Sequence, residues 1–407
     1  MGWIGLPRWA ALVLCLARLA GADASPARAE AVTPPGAPGA RVDDGEDLRN
    51  DLRNDLSNDL RDAGARCDGR TDDTAALQRW LDRTRPGQAA RAPGGTCLFT
   101  RPLVLATSGV SIEGAGPYQT VLAYAGSDPG VDLVTLGTTP VGLRNVRLAG
   151  FRITSRTPMR AGSALRLRGF NRSMLREIVI DGQDGAGLLW DGIWFEEVDQ
   201  VVLRGFEARG RNDAIRVNGG VGEGRSKAGL MLQQGKVTGS GVGLRVGGAF
   251  GGLSVDGVDI IDNGTNVSID TTLAAEGNRE IFLGPGVFLD SPRSGPALQV
   301  TDTLANAAAW LQLAGTWLAS GPGDGLYLAP GVHWTVSFQG GTVFNFGRDG
   351  IHNEAEDATV LVNGTALRYN GRFGAWNTPR SGKFVFQSAP TFIGNGGGTV
   401  KGPVRRP

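Results

Sequence analysis

A short element recurs between residues 163 and 355 of this 407-residue chain: SALRLRG, DGIWFEE, DAIRVNG, GVGLRVG, TNVSIDT, PALQVTD, DGLYLAP and DGIHNEA. Its first aliphatic residues, Leu165, Ile193, Ile215, Leu244, Val267, Leu298, Leu326 and Ile351, stand 22 to 31 residues apart, about 27 on average. Inside each copy, aliphatic and other residues alternate, which is the period of a strand with one buried face. A unit of this size cannot bury that face alone. Stacking on the next copy does so, and the variable spacing places insertions in the loops between copies. The short alternating runs disfavour helical repeats. A β-sandwich is the main alternative, but it gives no reason for one such element per repeat. The 64 glycines agree with a β array, because each interior glycine costs a helix about 1 kcal/mol relative to alanine. There is no Gly-X-Y period, and glycine plus proline stays below the ~25–30% that marks low complexity. Collagen and wholesale disorder are excluded.

If the aliphatics point inward, the residues between them form ladders on the outside, with coils about 4.8 Å apart. One predicted ladder is Arg166, Trp194, Arg216, Arg245, Ser268, Gln299, Tyr327 and His352; its neighbour is Arg168, Glu196, Asn218, Gly247, Asp270, Thr301, Ala329 and Glu354. Arginines, carboxylates and aromatics in this arrangement suit an extended polysaccharide or oligosaccharide. Planar rings, here Trp194, Trp190 and Tyr327, pack on sugar C–H faces. Arg166, Arg216, Arg245, Asn218 and Asp270 can hydrogen-bond hydroxyls or pair with uronate carboxylates. The alternative is aromatics that plug coil corners and charges that form an ordinary solvated face.

Asp191 and Asp213 precede the matching Ile193 and Ile215, so they are expected to stack one coil apart. Glycoside hydrolysis typically uses two carboxylates. Neighbouring carboxylates repel, which raises the pKa of one and suits it to act as an acid. A polysaccharide lyase would instead use Arg216 and Arg245 as carboxylate clamp and base. A third reading is a non-catalytic glycan-binding protein, of a cell-surface or phage-tailspike-like kind.

The chain opens with Arg8, an apolar run from Trp9 to Ala17 and a small-x-small site at Ala22–Ala24, the form of a secretory signal. The expected organisation is a signal peptide at 1–24, a linker carrying the low-complexity DLRN repeat at 25–62, a β domain at 63–400 and a tail at 401–407. Secretion or periplasmic location follows, with no membrane span. The balance of 41 basic and 40 acidic residues argues against nucleic acid as a partner. Cys67 and Cys97 are an even pair in an exported chain and are expected to form a disulfide. No metal site is expected, because His333 and His352 lie far from both cysteines in sequence; calcium is conceivable only at acidic turns such as DGVDIIDNG (256–264). Oligomeric state is not legible.

GARCDGRTDDTAALQRWLD (64–82) has turn residues, Asp73 as an N-cap and Leu77, Trp80 and Leu81 at helical spacing. This string, with SGVSIEGAG (108–116), resembles the opening motif of the pectate lyase superfamily, with Cys67 where glycine is usual. The resemblance implies an all-β fold: a single-stranded right-handed parallel β-helix with an N-terminal capping α-helix. LWDGIWF, NDAIRV and GVGLRV also resemble the catalytic coils of glycoside hydrolase family 28. On that resemblance Asp191 and Asp213 match water-activating aspartates. Asn212 stands in place of the general acid, Val242 in place of the histidine, and Ser268 and Asp270 in place of a later Arg-x-Lys pair. Glu196 or Glu197 is then the substitute acid to test.

Overall fold

The computed structural model describes residues 57–138, 142–181, 189–219, 229–247, 250–270, 279–304, 309–378 and 383–406. The expected signal peptide and most of the expected linker lie outside them. The described residues form a parallel β-solenoid of about 11 turns. One 12-stranded sheet takes a single strand from each coil, and a 21-stranded sheet wraps the remaining sides. Every first aliphatic of the repeated element is fully buried, from Leu165 to Ile351. In the 12-stranded sheet Leu165 pairs with Ile193, Ile193 with Ile215, Ile215 with Leu244, and Leu244 with Val267. The array is held by these inward columns of like residues and by the parallel ladders between coils.

Long strands of the other sheet, such as Asn171–Ile180 and Asp199–Ala208, carry the chain from one side of the coil to the next. They bend at left-handed residues one coil apart: Gly150, Glu177, Gly205, Gln234 and Gly257, with φ between 52° and 75°. Glycine takes this conformation without the Cβ clash other residues meet. A second use of glycine is contact between coils. A Cβ on Gly325 would lie 2.5 Å from the carbonyl of Gly350, and one on Gly350 would lie 2.5 Å from that of Gly374.

The only helix among the described residues, Thr74–Arg83, buries Leu77, Trp80 and Leu81. These face Leu103, Leu105 and Ile112 around an apolar cavity of about 30 Å³. Asp73 does not cap the helix through its side chain. It accepts the N–H groups of Arg66 and Cys67, and Asp72 takes the N–H of Thr74 instead. Both boundaries of the expected β domain also shift outward. Ser57–Asp59 pairs with Ala89–Arg91 and Leu60 is fully buried, so residues 57–62 belong to the fold. At the other end Lys401 closes a strand and Arg405 bridges Val385, so 401–406 is not a free tail.

Candidate functional site

The outer face of the 12-stranded sheet carries the first expected ladder in register: Arg166, Trp194, Arg216, Arg245, Ser268, Gln299, Tyr327 and His352 are successive partners. Two residues before each inward aliphatic lies a turn position that repeats along the stack. There an aspartate accepts the backbone N–H of the next coil: Asp132 from Ser163 at 2.9 Å, Asp191 from Asp213 at 3.1 Å, and Asp324 from Asp349 at 2.9 Å. The Asp-aliphatic elements therefore have a structural use before any chemical one, since these N–H groups are buried and need an acceptor.

At Asp191 and Asp213 this column becomes a charged cluster. Asp191 Oδ1 also accepts from Asn212 Nδ2 at 2.9 Å. Asp213 Oδ2 accepts from Arg245 Nε at 2.8 Å, and Arg245 reaches on to Asp270 Oδ2 at 2.7 Å. Burial pushes the Asp191 carboxyl above its ordinary range; the charge of Asp213 adds to this, and the Asn212 hydrogen bond opposes it. Asp213 Oδ1 is buried and has no hydrogen-bond partner among the described residues. Both carboxylates are nearly inaccessible, at 4% and 1% relative exposure.

A second network lies further along the same strands. Arg166 pairs with Asp132 at 2.7 Å and with Glu196 at 2.9 Å, and Arg168 shares that Glu196 oxygen at 2.8 Å. Arg166 and Arg216 cover the two faces of Trp194, with guanidinium carbons 3.7 and 4.5 Å from the ring centre. Turned so that its oxygen faces the indole, Asn218 accepts from Trp194 Nε1 at 3.1 Å.

These contacts correct several expectations. Trp194 cannot stack on a sugar, because both of its faces are occupied. Asn218 is 2% exposed and spent on Trp194, so it does not reach ligand. Arg166 and Asp270 are tied into ion pairs. Glu196 cannot stand in for the acid missing at Asn212: it lies five strand residues beyond Asp191, about 16 Å at ~3.3 Å per residue, and is locked between two arginines. Arg245 cannot be a base; burial alone would lower its pKa, but Asp213 and Asp270 outweigh this and push it above its already high value. Trp190 is half-buried, packs on the core and faces Arg211 at 4.9 Å. Arg216 remains the outward cation, half-buried, with Nε unpartnered among the described residues. Cys67 and Cys97 are joined, with an S–S distance of 2.01 Å.

The acidic stretch Asp256–Gly264 forms no cluster of three ligand groups among the described residues. A broad groove of about 660 Å³ lies on the other sheet, lined by Arg147, Arg172, Met174 and Gln200 among others, without any carboxylate. It offers contact but no acid–base pair.

A third constellation lies outside the groups that the sequence singles out. Asp324, Asp349 and His352 are buried together in the coils after residue 320. His352 and Glu354 were visible only as ladder members. The signal was there in DGLYLAP and DGIHNEA, which repeat the Asp-x-aliphatic pattern of Asp191 and Asp213.

Among the described residues, no helix is long and apolar enough to cross a membrane. No curated protein matches the chain. Among solved structures it is similar to the A-module of the mannuronan C-5 epimerase AlgE4 from Azotobacter vinelandii, with TM-score 0.60, 12% identity, and 86% of this chain and 97% of that one covered. It is also similar to a GH87 alpha-1,3-glucanase catalytic unit from Streptomyces thermodiastaticus, with TM-score 0.53, 17% identity and coverage of 86% and 69%. A family 28 exopolygalacturonase from Yersinia enterocolitica gives TM-score 0.51, 13% identity and coverage of 86% and 78%. At such identities these likenesses speak for the fold. Residues 58–270, more than half of the chain, match the rhamnogalacturonase A/epimerase, pectate lyase-like family, and the chain belongs to it.

Proposed function

We propose that this is an exported, polysaccharide-active β-helix protein that hydrolyses glycosidic bonds, with Asp191 as the acid and Asp213 as the base or nucleophile. The observation that carries this reading is the pair itself. The two carboxylates occupy one turn position on adjacent coils, one pushed toward its protonated form by burial and the other serving as anionic partner of Arg245. Separation of two neighbouring carboxyls into a proton donor and an anion is what glycoside hydrolysis requires. Arg216 supplies the remaining positive charge for an acidic sugar. The family and the carbohydrate-directed names of the similar structures support a glycan as substrate. The disulfide supports an oxidising compartment outside the cytosol. A right-handed coil, with the helix Thr74–Arg83 closing its N-terminal end, is part of the same proposal.

The near-complete burial of both carboxylates favours a second reading, a glycan-binding protein without catalysis. A polysaccharide panel scored for new reducing ends and for unsaturated, UV-absorbing products separates the readings. Hydrolysis predicts reducing ends without unsaturation, lost in Asp191→Asn. That variant keeps the oxygen that accepts the Asp213 N–H, so its fold should persist. Unsaturated products would overturn the hydrolase assignment, and retention of glycan without cleavage would establish the binding protein.

A further inference from the structure

The fold builds its two-aspartate turn twice, and the two copies are completed by different chemistry. At Asp191 and Asp213 the adjoining group is Arg245, a permanent cation that pairs with Asp213. At Asp324 and Asp349 it is His352, whose neutral imidazole offers a lone pair. Asp324 spends Oδ1 on the Asp349 N–H, and Asp349 spends Oδ1 on the Phe373 N–H at 3.0 Å. The other oxygen of each carboxylate faces His352 Nδ1, at 3.5 Å for Asp324 and 3.8 Å for Asp349. All three ligand atoms lie within 4.8 Å of one another. Asp349 is 0% and His352 1% exposed, and neither Asp349 Oδ2 nor either ring nitrogen of His352 makes a hydrogen bond among the described residues. Two buried carboxylates within 4.8 Å of each other are costly unless a metal ion, a proton or another positive charge offsets them. The nearby arginines form ion pairs here but, among the described residues, no hydrogen bond to the oxygens that face His352. Arg348 approaches the other oxygen of Asp324 at 3.5 Å, and Arg372 stands 3.7 Å from Asp349 Oδ2 with its side chain over a third exposed.

The surroundings of His352 fix its orientation. Its Nε2 lies 3.3 Å from Glu354 Oε1, and Glu354 Oε2 accepts from the Tyr327 hydroxyl at 2.8 Å. Trp376 stacks on the ring at 4.5 Å, tilted by 6°. Glu354 is close to Nε2 without a hydrogen bond to it; a carboxylate that closes this short gap is the usual support for a metal-binding imidazole, because it leaves the near nitrogen unprotonated and aimed.

We propose that Asp324, Asp349 and His352 bind one divalent first-row transition ion, zinc in the first place, within the coil stack. Two ligands about 2.0–2.1 Å from a tetrahedral zinc stand roughly 3.3–3.5 Å apart, close to the 3.5 and 3.8 Å between His352 Nδ1 and the two aspartates. One nitrogen and two carboxylate oxygens suit zinc or its neighbours; calcium takes six to eight oxygens. The ion supplies to this pair the positive charge that the guanidinium of Arg245 supplies to Asp213 in the other.

The test uses the untagged full chain, stripped with chelator and titrated with Co²⁺ and Zn²⁺. Expected are one equivalent of bound metal, d–d absorption with Co²⁺, and a rise in melting temperature that grows with free Zn²⁺. His352→Gln and Asp349→Asn should abolish all three. Asp349→Asn keeps the acceptor for Phe373, so its metal-free melt should stay cooperative. Glu354→Gln should weaken binding about 10-fold or more while leaving one equivalent. His333→Ala, at the other histidine, should change nothing. The proposal is overturned if the stripped chain shows no saturable binding, or if His352→Gln and Asp349→Asn bind as the unaltered chain does. An unsaturable response would mean that a charged triad without metal holds these coils.

Discussion

One turn position gives its aspartates opposite titration behaviour, decided by what stands opposite. Burial alone would raise the Asp132 carboxyl, but hydrogen bonds from Arg166 and Ser163 outweigh it and hold it below the ordinary range. Its contribution to stability is therefore present above the unfolded value near ~3.9 and is lost as pH falls through the folded one. At Asp191 burial dominates and the value rises. Its protonated form is the favoured one, so the associated stability is present below ~3.9 and is lost as pH rises through the folded value. Melting temperatures from pH 3 to pH 8 should show Asp132→Asn with a shallower acid limb. Asp191→Asn should instead lose less stability between about pH 4 and neutrality than the unaltered chain. Parallel curves for all three proteins would contradict this account of the turn.

At the level of elements, the first coil is joined to the next by Cys67–Cys97, across a sequence separation of 30 residues. Closing a loop of that length constrains the unfolded chain by roughly 3.6 kcal/mol. Cys67 occupies the place where the motif it belongs to has glycine, and the reason for that glycine is visible: Cys67 has φ 48°, in the left-handed region. A side chain there costs on the order of 1 kcal/mol. Both Cys67→Ser and Cys67→Gly lose the bridge, but only glycine relieves the backbone. Denaturant unfolding should therefore rank Cys67→Ser about 1 kcal/mol below Cys67→Gly, with both below the unaltered chain. Equal stabilities of the two variants would remove the backbone explanation.

Over the whole molecule, each coil is stabilised mainly by its two neighbours, so a terminal coil lacks one of them. The last strands show it in their exposure: Thr391–Ile393 and Gly398–Lys401 contain no buried residue, whereas Asp213–Asn218 in the middle is buried at five of six positions. Native-state hydrogen exchange should begin at Thr391–Lys401 and come last in the strands Asp191–Glu196, Asp213–Asn218 and Val242–Gly247. Uniform protection along the stack would show a globally cooperative unit in place of a nearest-neighbour array.

The sequence alone determined the stacking. Leu165 through Ile351 form the inward column, and Arg166 through His352 the outward ladder, because strand alternation and a repeat near 27 residues leave one register that buries every aliphatic. It also put Asp191 beside Asp213, since position within a repeat fixes which coil neighbours touch. It did not determine which ladder groups are open to a ligand. Trp194 looked like a platform until its faces proved covered by Arg166 and Arg216, and Arg245 looked like a base until it proved bound to two carboxylates. Long side chains reach diagonally across coils and along strands, and no periodicity records that reach. For the same reason His352 read as one more ladder residue. Only the tertiary structure turned its imidazole toward two buried aspartates from the turns beneath it.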